Sequence, residues 1–416
     1  MKFFESKLAF VDKSRFELSP VGRLVPITGV DGRFNRPYDH VAFVADPLDA
    51  EPELTATTWR AVNAANRALA RLDQASRQVP APHLLRRPAL RREAQSTSAL
   101  EGTFAPLDQV LAADVADRAP SKELLEVLNY VEAANLAFDT VAERGRVTLS
   151  LLETVHEILV RGTSAETQDA GRIRTTPVAI GSPTGSIEDA RFVPMPPGVE
   201  LDLAVRDWVE WVGALGAERE PLVSAAMAHY QFETLHPFND GNGRIGRLMI
   251  VLQFMTDNLL GQPLLSVSPW FESRRSVYQE RLADVSATGD WDSWVQFFAA
   301  GIESSADDTA RRVNRILAVQ ARYIQIVQAA GGRGIVRDLV DALIGDPIVT
   351  VPMLTRMYER TSPAVGAAIS KLVEWKILDG PFGTYNRQYI ATDVWRAVTA
   401  PVGSVLDPDE PLQFEG

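Results

Sequence analysis

The chain has 416 residues, a formal net charge of −12 and no cysteine. This length exceeds the usual size of one compact domain, so we expect two or three domains. The acidic charge argues against general binding to a phosphate backbone, and the lack of cysteine excludes disulfides, thiolate metal sites and a cysteine nucleophile. No apolar run is long enough for a transmembrane helix or a signal peptide, so we expect a cytoplasmic protein without a membrane partner.

Long helices are predicted for most of the chain. Residues 1–50 carry many Gly, Pro and Asp and short apolar runs, which predict irregular or β-like structure with turns. Helical periodicity begins near Pro52, and Thr148 is placed to cap one of the helices. The helices predicted in the first part of the chain cover roughly 53–77, 85–101, 105–115, 121–143 and 148–161.

The helical pattern is interrupted at residues 171–198. Two β-like runs there flank a Gly/Ser/Pro turn, so we predict an inserted β-hairpin in this segment, and we call its residues 174–195 the flap. Helical periodicity then resumes, which makes the predicted fold mainly α with one inserted hairpin. The helices predicted after the flap cover 199–215, 221–235, 244–259, 272–286 and 290–323.

A smaller unit is predicted near the C-terminal end. Three short helices are followed by an Asp379-Gly380 turn and strand-like pieces from Phe382 to Ile390, an order typical of a winged helix. These helices cover 334–344, 350–358 and 362–376. The predicted domains are an N-terminal extension at 1–60, a helical region at 61–323, a winged-helix-like domain at 324–398 and a loose tail at 399–416.

The segment HPFNDGNGRIGR, from His236 to Arg247, stands out chemically, and we call it the glycine-rich loop. It lies between two strong helical patterns, and Pro237 disfavours continuation of the first helix. Its glycines let backbone N–H groups approach an anion, and the start of the next helix adds free donors and a positive dipole end. The alternative interpretation is a helix–turn–helix corner whose glycines serve only close packing.

The charged side chains of the loop favour the first interpretation. Arg244 and Arg247 are three residues apart, so both can face a polyphosphate from one side of a helix start. Asp240 offers an oxygen to Mg²⁺, and His236 can act as a general base near neutral pH. Nucleotidyl transfer requires this set, because it needs an activated hydroxyl, a metal-bridged pyrophosphate and stabilised charge on the α-phosphate.

The loop resembles the Fic-domain motif HPFx[D/E]GNGRxxR at every fixed position, and the preceding AHYQFETL is similar to the family's sequence. The resemblance covers roughly residues 60–300 and implies a helical Fic core whose flap registers a target segment by strand pairing. It implies that His236 deprotonates the target hydroxyl, that Asp240 holds Mg²⁺ and that Phe238 anchors the loop. It assigns the binding of ATP and its phosphates to Asn239, Asp240, Gly241, Asn242, Gly243, Arg244 and Arg247.

A second stretch, TSALEG from Thr97 to Gly102, resembles the family's inhibitory motif [S/T]xxxE[G/N]. The resemblance implies that Glu101 pairs with Arg247, occupies the place of the γ-phosphate and misorients the nucleotide. This agrees with charge, since a carboxylate competes with phosphate for a guanidinium. The alternative is an ordinary helix end, with Gly102 as its C-cap residue.

Several other residues have plainer interpretations. Of a pattern that the family often carries near adenosine, only Tyr278 is present, so it is the candidate adenosine contact. His156 and His229 are predicted to be structural. The basic run that precedes the inhibitory motif is predicted to be a solvated helix face, formed by Arg86, Arg87, Arg91 and Arg92.

The C-terminal unit raises the question of DNA binding. From Thr361 to Val394, three basic and three acidic residues balance, whereas domains that read a DNA groove carry excess positive charge. We therefore expect this unit to contact protein or to mediate dimerisation, and we do not expect DNA as a partner.

Together these features predict a Mg²⁺-dependent enzyme that transfers AMP from ATP to a Tyr, Ser or Thr hydroxyl of an unidentified target protein, itself included. Glu101 is expected to hold the enzyme in a low-activity state, and the resemblance suggests a homodimer. Two alternatives stay open. The same loop could transfer another nucleotide or phosphocholine, or remove AMP from a target; or the chain could be a DNA-binding regulator with a vestigial Fic domain.

Overall fold

A computed structural model describes residues 13–31, 34–78, 82–116, 119–213, 219–383 and 387–405. The described residues form fifteen α-helices and five β-strands, which confirms the mainly α prediction. None of the described helices is both long and apolar enough to cross a membrane. The part of the predicted tail beyond residue 405 lies outside the described residues.

The helices lie close to the positions that the periodicity predicts. Their bounds are α1 Ala56–Arg77, α2 Pro82–Leu100, α3 Leu107–Ala112, α4 Lys122–Arg144, α5 Leu149–Val160, α6 Val199–Gly213, α7 Pro221–Leu235, α8 Asn242–Thr256, α9 Ser268–Glu272, α10 Arg275–Thr288, α11 Trp291–Ala329, α12 Ile335–Gly345, α13 Val351–Tyr358, α14 Ser362–Glu374 and α15 Thr392–Thr399. The helix predicted at 272–286 is replaced by α9 and α10. Thr148 caps α5 as predicted, because its hydroxyl oxygen accepts a hydrogen bond from the Leu151 N–H at 3.2 Å.

The N-terminal segment forms a long hairpin where the sequence predicted only β-like structure. Strands β1 (Gly22–Asp31) and β2 (Arg36–Ala45) pair antiparallel along their whole length. The side chains of Phe16, Phe43 and Ala287 pack together beside this hairpin in a small apolar cluster. A ladder of this length needs apolar packing on one face to be stable in water, and this cluster supplies part of it.

The flap departs from the predicted pair of strands. Among its described residues, the strand pairing is a single antiparallel bridge between Ile180 and Phe192. A short 3-10 turn at Ile187–Asp189 lies between these two residues. The Asp189 carboxylate accepts hydrogen bonds from the hydroxyls of Ser182 and Thr184 at 2.5 and 2.7 Å. Such side-chain bonds compete with a backbone ladder, so the prediction of two extended strands is wrong although the chain does reverse direction.

Residue contacts divide the chain into two compact units. Unit 1 comprises Met1–Ala64, Asn135–Asp257 and Arg274–Ala300, and unit 2 comprises Ala65–Ala134, Asn258–Ser273 and Gly301–Gly416. The glycine-rich loop and the flap belong to unit 1. The inhibitory motif and the C-terminal elements belong to unit 2.

Helices α7 and α8 form the centre of unit 1. Nearly every side chain of both helices is buried, which is the expected environment of a helix without a polar face. The indole N–H groups of Trp208 and Trp294 donate to the carbonyls of Ala228 and Ala226 on α7, each at 2.9 Å. The helix that leads into the glycine-rich loop is therefore held by packing and by hydrogen bonds along its length.

In unit 2, the C-terminal elements surround an apolar core that includes Leu339, Leu343, Leu372 and Val394. Strands β3 (Ile348–Thr350), β4 (Asp379–Phe382) and β5 (Gln388–Ile390) form an antiparallel sheet in the order β3-β5-β4. Strand β3 was not predicted. The three helices lie close to where the sequence placed them, and β5 falls within the predicted strand-like region. The turn predicted at Asp379-Gly380 is wrong, because these two residues begin β4.

The basic run on α2 is a corrected prediction, because α2 packs against α12 and α15 within unit 2. Arg91 and Arg92 are only 5% and 7% exposed. The guanidinium of Arg91 donates to the Leu111 carbonyl at 3.0 Å, and the Arg87 guanidinium donates to the Asp346 carboxylate at 2.7 Å. These arginines therefore join elements of unit 2 and do not form a solvated face.

Candidate active site

His236 ends α7 in a left-handed conformation, with φ of 51°. Its backbone N–H donates to the Phe232 carbonyl at 2.9 Å, and the half-buried imidazole places Nδ1 3.2 Å from the Glu233 carbonyl oxygen. A carbonyl can only accept, so Nδ1 is the donor in this contact. This contact fixes the orientation of the ring.

Phe238 and Asn242 close the loop on itself. The Asn242 side-chain oxygen accepts from the Phe238 N–H at 2.9 Å, and the Asn242 amide donates to the Phe238 carbonyl at 2.8 Å. The Phe238 ring is fully buried and stacks on His156 with centroids 4.1 Å apart. Asn242, one of the predicted phosphate-binding residues, thus uses its side chain to hold the turn, and its backbone lies at the start of α8.

Glycine is required at two positions of the loop for different physical reasons. Gly241 precedes α8 with φ of +79°, and a Cβ there would lie 2.7 Å from the Leu159 side chain. Gly246 is helical, and a Cβ there would lie 2.5 Å from the Glu233 carboxylate and 3.2 Å from the Phe232 ring. Gly246 therefore serves helix packing, whereas Gly241 starts α8 so that its first N–H groups are available to an anion.

Arg244 and Arg247 lie on the first two turns of α8 and are almost fully buried, at 3% and 1% exposed. Asp240 lies before them, and its carboxylate is 3.3 Å from an Arg244 guanidinium nitrogen. Two buried cations beside a helix N-terminus give this end of α8 a positive potential. The predicted phosphate-binding residues of the loop are therefore brought together in one short segment.

The Asp240 carboxylate is suited to a metal ion that arrives with a polyphosphate. Its side chain is 53% exposed. Among the described residues, no group of three or more His, Cys, Asp or Glu side chains is arranged to hold a metal. Mg²⁺ usually binds through one or two carboxylates together with phosphate oxygens and water, so a single exposed carboxylate fits this ion.

Arg174, at the base of the flap, is a residue that the sequence analysis missed. Its backbone N–H donates to the Pro237 carbonyl at 2.8 Å, and its buried guanidinium donates to the His236 carbonyl at 2.8 Å. The same guanidinium reaches the carbonyls of Thr176 and Met195 at 3.2 and 2.5 Å. Because backbone carbonyls carry no sequence signal, nothing in the residue pattern pointed to this arrangement.

Asn239, another predicted phosphate ligand, contacts the same region with its side chain. Its amide oxygen accepts from the Thr176 hydroxyl at 3.2 Å, and its amide nitrogen lies 3.3 Å from the Asp169 carboxylate. Thr175 donates to that same carboxylate at 3.1 Å. The Asn239 side chain therefore links the glycine-rich loop to residues 169–176, which we call the flap base.

His156 supports the loop from inside unit 1. Its Nδ1 accepts from the Gly171 N–H at 2.9 Å while its ring stacks on Phe238. Burial lowers the pKa of His156 to about 4, and the nearby Asp240 partly opposes this shift. His156 is therefore neutral at physiological pH, which agrees with a structural role.

Tyr278, the candidate adenosine contact, is buried on α10. Its hydroxyl lies 2.6 Å from Nε2 of His229, whose Nδ1 lies 3.0 Å from the Gly246 carbonyl. Since that carbonyl only accepts, His229 donates from Nδ1 and accepts the tyrosine hydroxyl at Nε2. Burial lowers the pKa of His229 to about 3, so this chain of hydrogen bonds stays neutral and positions the start of α8.

Glu101 and Gly102 lie just after α2, in unit 2. The Gly102 N–H donates to the Ala99 carbonyl and the Thr103 N–H donates to the Ser98 carbonyl, each at 3.0 Å, while Gly102 has φ of +93°. This pairing is a Schellman motif, so Gly102 is explained by the helix end alone. Glu101 is the C-cap residue and is exposed within its unit. The helix-end interpretation and the inhibitory interpretation are thus compatible.

Comparison with known proteins identifies the segment that carries this geometry. Residues 59–139 match the sequence model of the Fic/DOC family N-terminal region, and residues 146–254 match that of the Fic/DOC family. The chain therefore contains a Fic domain, preceded by a Fic N-terminal region. Its Fic domain includes the flap, the flap base and the glycine-rich loop, and its Fic N-terminal region includes Thr97–Gly102.

Curated relatives of this Fic domain share only part of its length. The chain is 33% identical to protein adenylyltransferase fic-1 of Caenorhabditis elegans over 143 residues, which are 34% of this chain and 25% of that protein. It is 26% identical to protein adenylyltransferase Fic of Nematostella vectensis over 220 residues, which are 51% of this chain and 46% of that protein. The chain thus spans between a quarter and a half of the length of these relatives.

A solved structure shows the same fold. A Fic family protein from Desulfovibrio desulfuricans G20 superposes with a TM-score of 0.54 at 20% sequence identity, over 83% of this chain and 98% of that one. The Fic-type helical fold predicted from the glycine-rich loop is therefore confirmed. At this level of identity the likeness concerns the fold alone.

Proposed function

We propose that this Fic-domain protein transfers AMP from ATP to a Tyr, Ser or Thr hydroxyl of a target protein. The observation that carries the proposal is the orientation of His236 at the end of α7, where the Glu233 carbonyl accepts from Nδ1 and Nε2 is assigned the part of the base. Two buried arginines and a helix N-terminus follow within eleven residues of it. The relatives named protein adenylyltransferase support the same chemistry.

In the proposed reaction, His236 Nε2 takes the proton of the target hydroxyl. The hydroxyl oxygen forms a bond to the α-phosphorus, and the bond between that phosphorus and the α–β bridging oxygen breaks. Pyrophosphate leaves with that oxygen, held by Arg244 and Arg247, while the first N–H groups of α8 stabilise charge on the phosphate oxygens. Asp240 would hold Mg²⁺, which supplies neutralising charge to the polyphosphate.

A nucleotide panel tests this proposal. The protein is incubated with ATP, GTP, CTP, UTP or CDP-choline and Mg²⁺, and intact-mass spectra of the protein and of a lysate are recorded. We expect a mass gain of one AMP from ATP, and no gain with the His236→Ala variant because the base is lost. A gain from another donor would instead favour transfer of another nucleotide or of phosphocholine, and loss of AMP from modified proteins would favour AMP removal.

We further propose that Glu101 restrains this activity. The support is the match of Thr97–Gly102 to the inhibitory motif and the competition of a carboxylate with phosphate for a guanidinium. Glu101→Gln removes the charge and keeps the size of the side chain, whereas Glu101→Gly removes both. We expect both variants to incorporate more AMP than the unaltered protein, and equal incorporation in all three would contradict the restraint.

The target is proposed to dock on the flap, and self-modification is detected in the same mass spectra.

For the C-terminal unit we propose a winged helix that contacts protein, including a second copy in a homodimer. The support is the helix and strand order of α12 to β5 and the balanced charge from Thr361 to Val394. Sedimentation across a concentration series tests dimerisation, and a DNA-shift assay with a salt titration tests the alternative of a DNA-binding regulator.

A further inference from the structure

The guanidinium of Arg174 is surrounded by backbone carbonyls. Its Nε donates to the His236 carbonyl at 2.8 Å, and its terminal nitrogens donate to the carbonyls of Thr176, Met195 and Leu235 at 3.2, 2.5 and 3.4 Å. The side chain is only 2% exposed. Burial lowers the pKa of Arg174 to about 10, so the group remains charged at physiological pH.

Two of these carbonyls, those of Leu235 and His236, lie at the end of α7, where helical partners are lacking. The chain turns into the left-handed region at His236, so the carbonyls at the helix end cannot accept from a following turn. Arg174 supplies N–H groups to Leu235 and His236 from its side chain and to Pro237 from its backbone. A positive charge at a helix C-terminus is also favourable with respect to the helix dipole.

The other two carbonyls belong to the flap. Thr176 lies just after Arg174 at the start of the flap, and Met195 is the last flap residue. One planar side chain therefore joins both ends of the flap to the residue that carries the base. Arginine is suited to this because it has five N–H donors in a rigid plane, whereas lysine has three donors on one atom.

We propose that Arg174 is a positioning residue for His236. It holds the left-handed backbone of His236, so that Nδ1 donates to the Glu233 carbonyl and Nε2 is the nitrogen assigned to the target hydroxyl. Arg174 touches neither nucleotide nor target in this account. The inference rests on the proposed function, because it assigns His236 the part of the general base.

The test compares Arg174→Lys and Arg174→Gln with Arg172→Lys, all in the Glu101→Gly background. Arg172 lies two residues away and is exposed, so it is the matched control. We expect kcat for AMP incorporation to fall about 100-fold in both Arg174 variants, since a displacement of about 1 Å in a catalytic group has that effect. We expect KM and the affinity for ATP to change less than about twofold, and the control to keep its kcat.

A spectroscopic measurement separates positioning from general stability. Nitrogen-15 chemical shifts of the His236 ring distinguish the tautomer that is protonated at Nδ1 from the one that is protonated at Nε2. We expect the Nδ1–H tautomer in the unaltered protein and in Arg172→Lys, and a mixture in the Arg174 variants, with Lys nearer to the unaltered protein than Gln.

Two results would overturn the inference. One is an Arg174→Gln variant with unchanged kcat and an unchanged tautomer. The other is loss of ATP affinity together with kcat in both Arg174 variants, because that pattern indicates a purely structural role. If the unaltered protein and the Glu101→Gly variant transfer no group from any donor, the proposed function fails, while the tautomer comparison still decides whether Arg174 orients His236.

Discussion

Two buried arginines hold helix ends in this protein, and they differ in how their charge is balanced. In unit 1, Arg174 donates to backbone carbonyls at the end of α7. In unit 2, Arg312 donates to the carbonyls of Ala397 and Ala400 near the end of α15, at 2.7 and 2.8 Å, but also to the Asp308 carboxylate at 2.8 Å. We call each arginine together with the carbonyls that it binds a clamp. The clamp of unit 2 includes a carboxylate, whereas the Arg174 guanidinium in unit 1 binds carbonyl dipoles.

This difference agrees with what each helix end does. In unit 2, the guanidinium of Arg312 pairs with a carboxylate and joins α11 to the carbonyls near the end of α15. The clamp in unit 1 keeps its positive charge next to the glycine-rich loop, where the proposed reaction brings a polyphosphate. Carbonyl partners fix the guanidinium without cancelling its charge, which suits a site for anions.

In unit 2, we expect the largest loss of stability when the Asp308 carboxylate is removed. Asp308 is buried between Arg92 and Arg312, so we expect Asp308→Asn to lower the free energy of unfolding by about 3–5 kcal/mol, because two buried cations lose their counter-charge. Asp307 is the matched control, since it pairs with Arg71 at 2.6 Å near the surface. We expect Asp307→Asn to change the value by only about 0–1 kcal/mol in urea titrations.

Equal losses in the Asp308 and Asp307 variants would contradict the distinction between a buried and an exposed pair. A second outcome of interest is AMP incorporation by folded Asp308→Asn. We expect its kcat to equal that of the unaltered protein, since Asp308 lies outside the Fic domain.

The buried histidines of unit 1 should make it sensitive to acid. The pKa values of His156 and His229 are lowered by burial to about 4 and about 3, against an ordinary value of 6.5. The unfolded chain therefore binds more protons than the folded one below pH 6.5. The stability is fully present above that pH, and each histidine removes about 1.4 kcal/mol per pH unit as the pH falls toward its folded pKa.

Unfolding free energies between pH 7.5 and 4.5 measure this effect. His156→Gln keeps an acceptor for the Gly171 N–H but does not titrate, so we expect a shallower loss of stability with acid in this variant. His83 is exposed, and His83→Gln is the control that should keep the original slope. An unchanged slope in His156→Gln would contradict this explanation, because it would mean that His156 does not take up a proton when the protein unfolds.

We expect the smallest losses of stability on substitution of two glycines with positive φ. Comparing the two distinguishes the cost of side-chain packing from that of backbone strain. Gly241→Ala meets the Leu159 side chain as well as an unfavourable φ, so we expect a loss of about 1–3 kcal/mol and slower AMP transfer. At Gly102 a Cβ meets no atom within 4 Å, so only the backbone term of about 1 kcal/mol applies. Thermal unfolding of the two variants gives the comparison, and a larger loss at Gly102 would contradict it.

The sequence allowed prediction of features that depend on neighbouring residues. Helix periods, the Thr148 cap and the glycine-rich loop are all encoded within short stretches, and the structure has them where they were expected. The flap shows the limit of that approach. Its two β-like runs around a Gly/Ser/Pro turn favoured strands, but the hydroxyls of Ser182 and Thr184 donate to the Asp189 carboxylate in place of a backbone ladder.

Features that join distant residues were not predictable. Arg174 acts on carbonyls near residue 236, and a carbonyl is present at every position, so the sequence contains no complementary residue to find. The arginines of α2 resembled a solvated stripe because their partners, such as Asp346, lie more than two hundred residues away. Charge pairs of this kind become visible only when the fold brings the partners together.

The most direct test of the account is the rate of AMP incorporation from ATP by three proteins measured side by side. These are the Glu101→Gly variant, the same variant with His236→Ala, and the same variant with Arg174→Lys. We expect rapid incorporation in the first, none in the second, and about a hundredth of the first rate in the third at unchanged KM for ATP. Incorporation that persists without His236 would contradict its role as the general base.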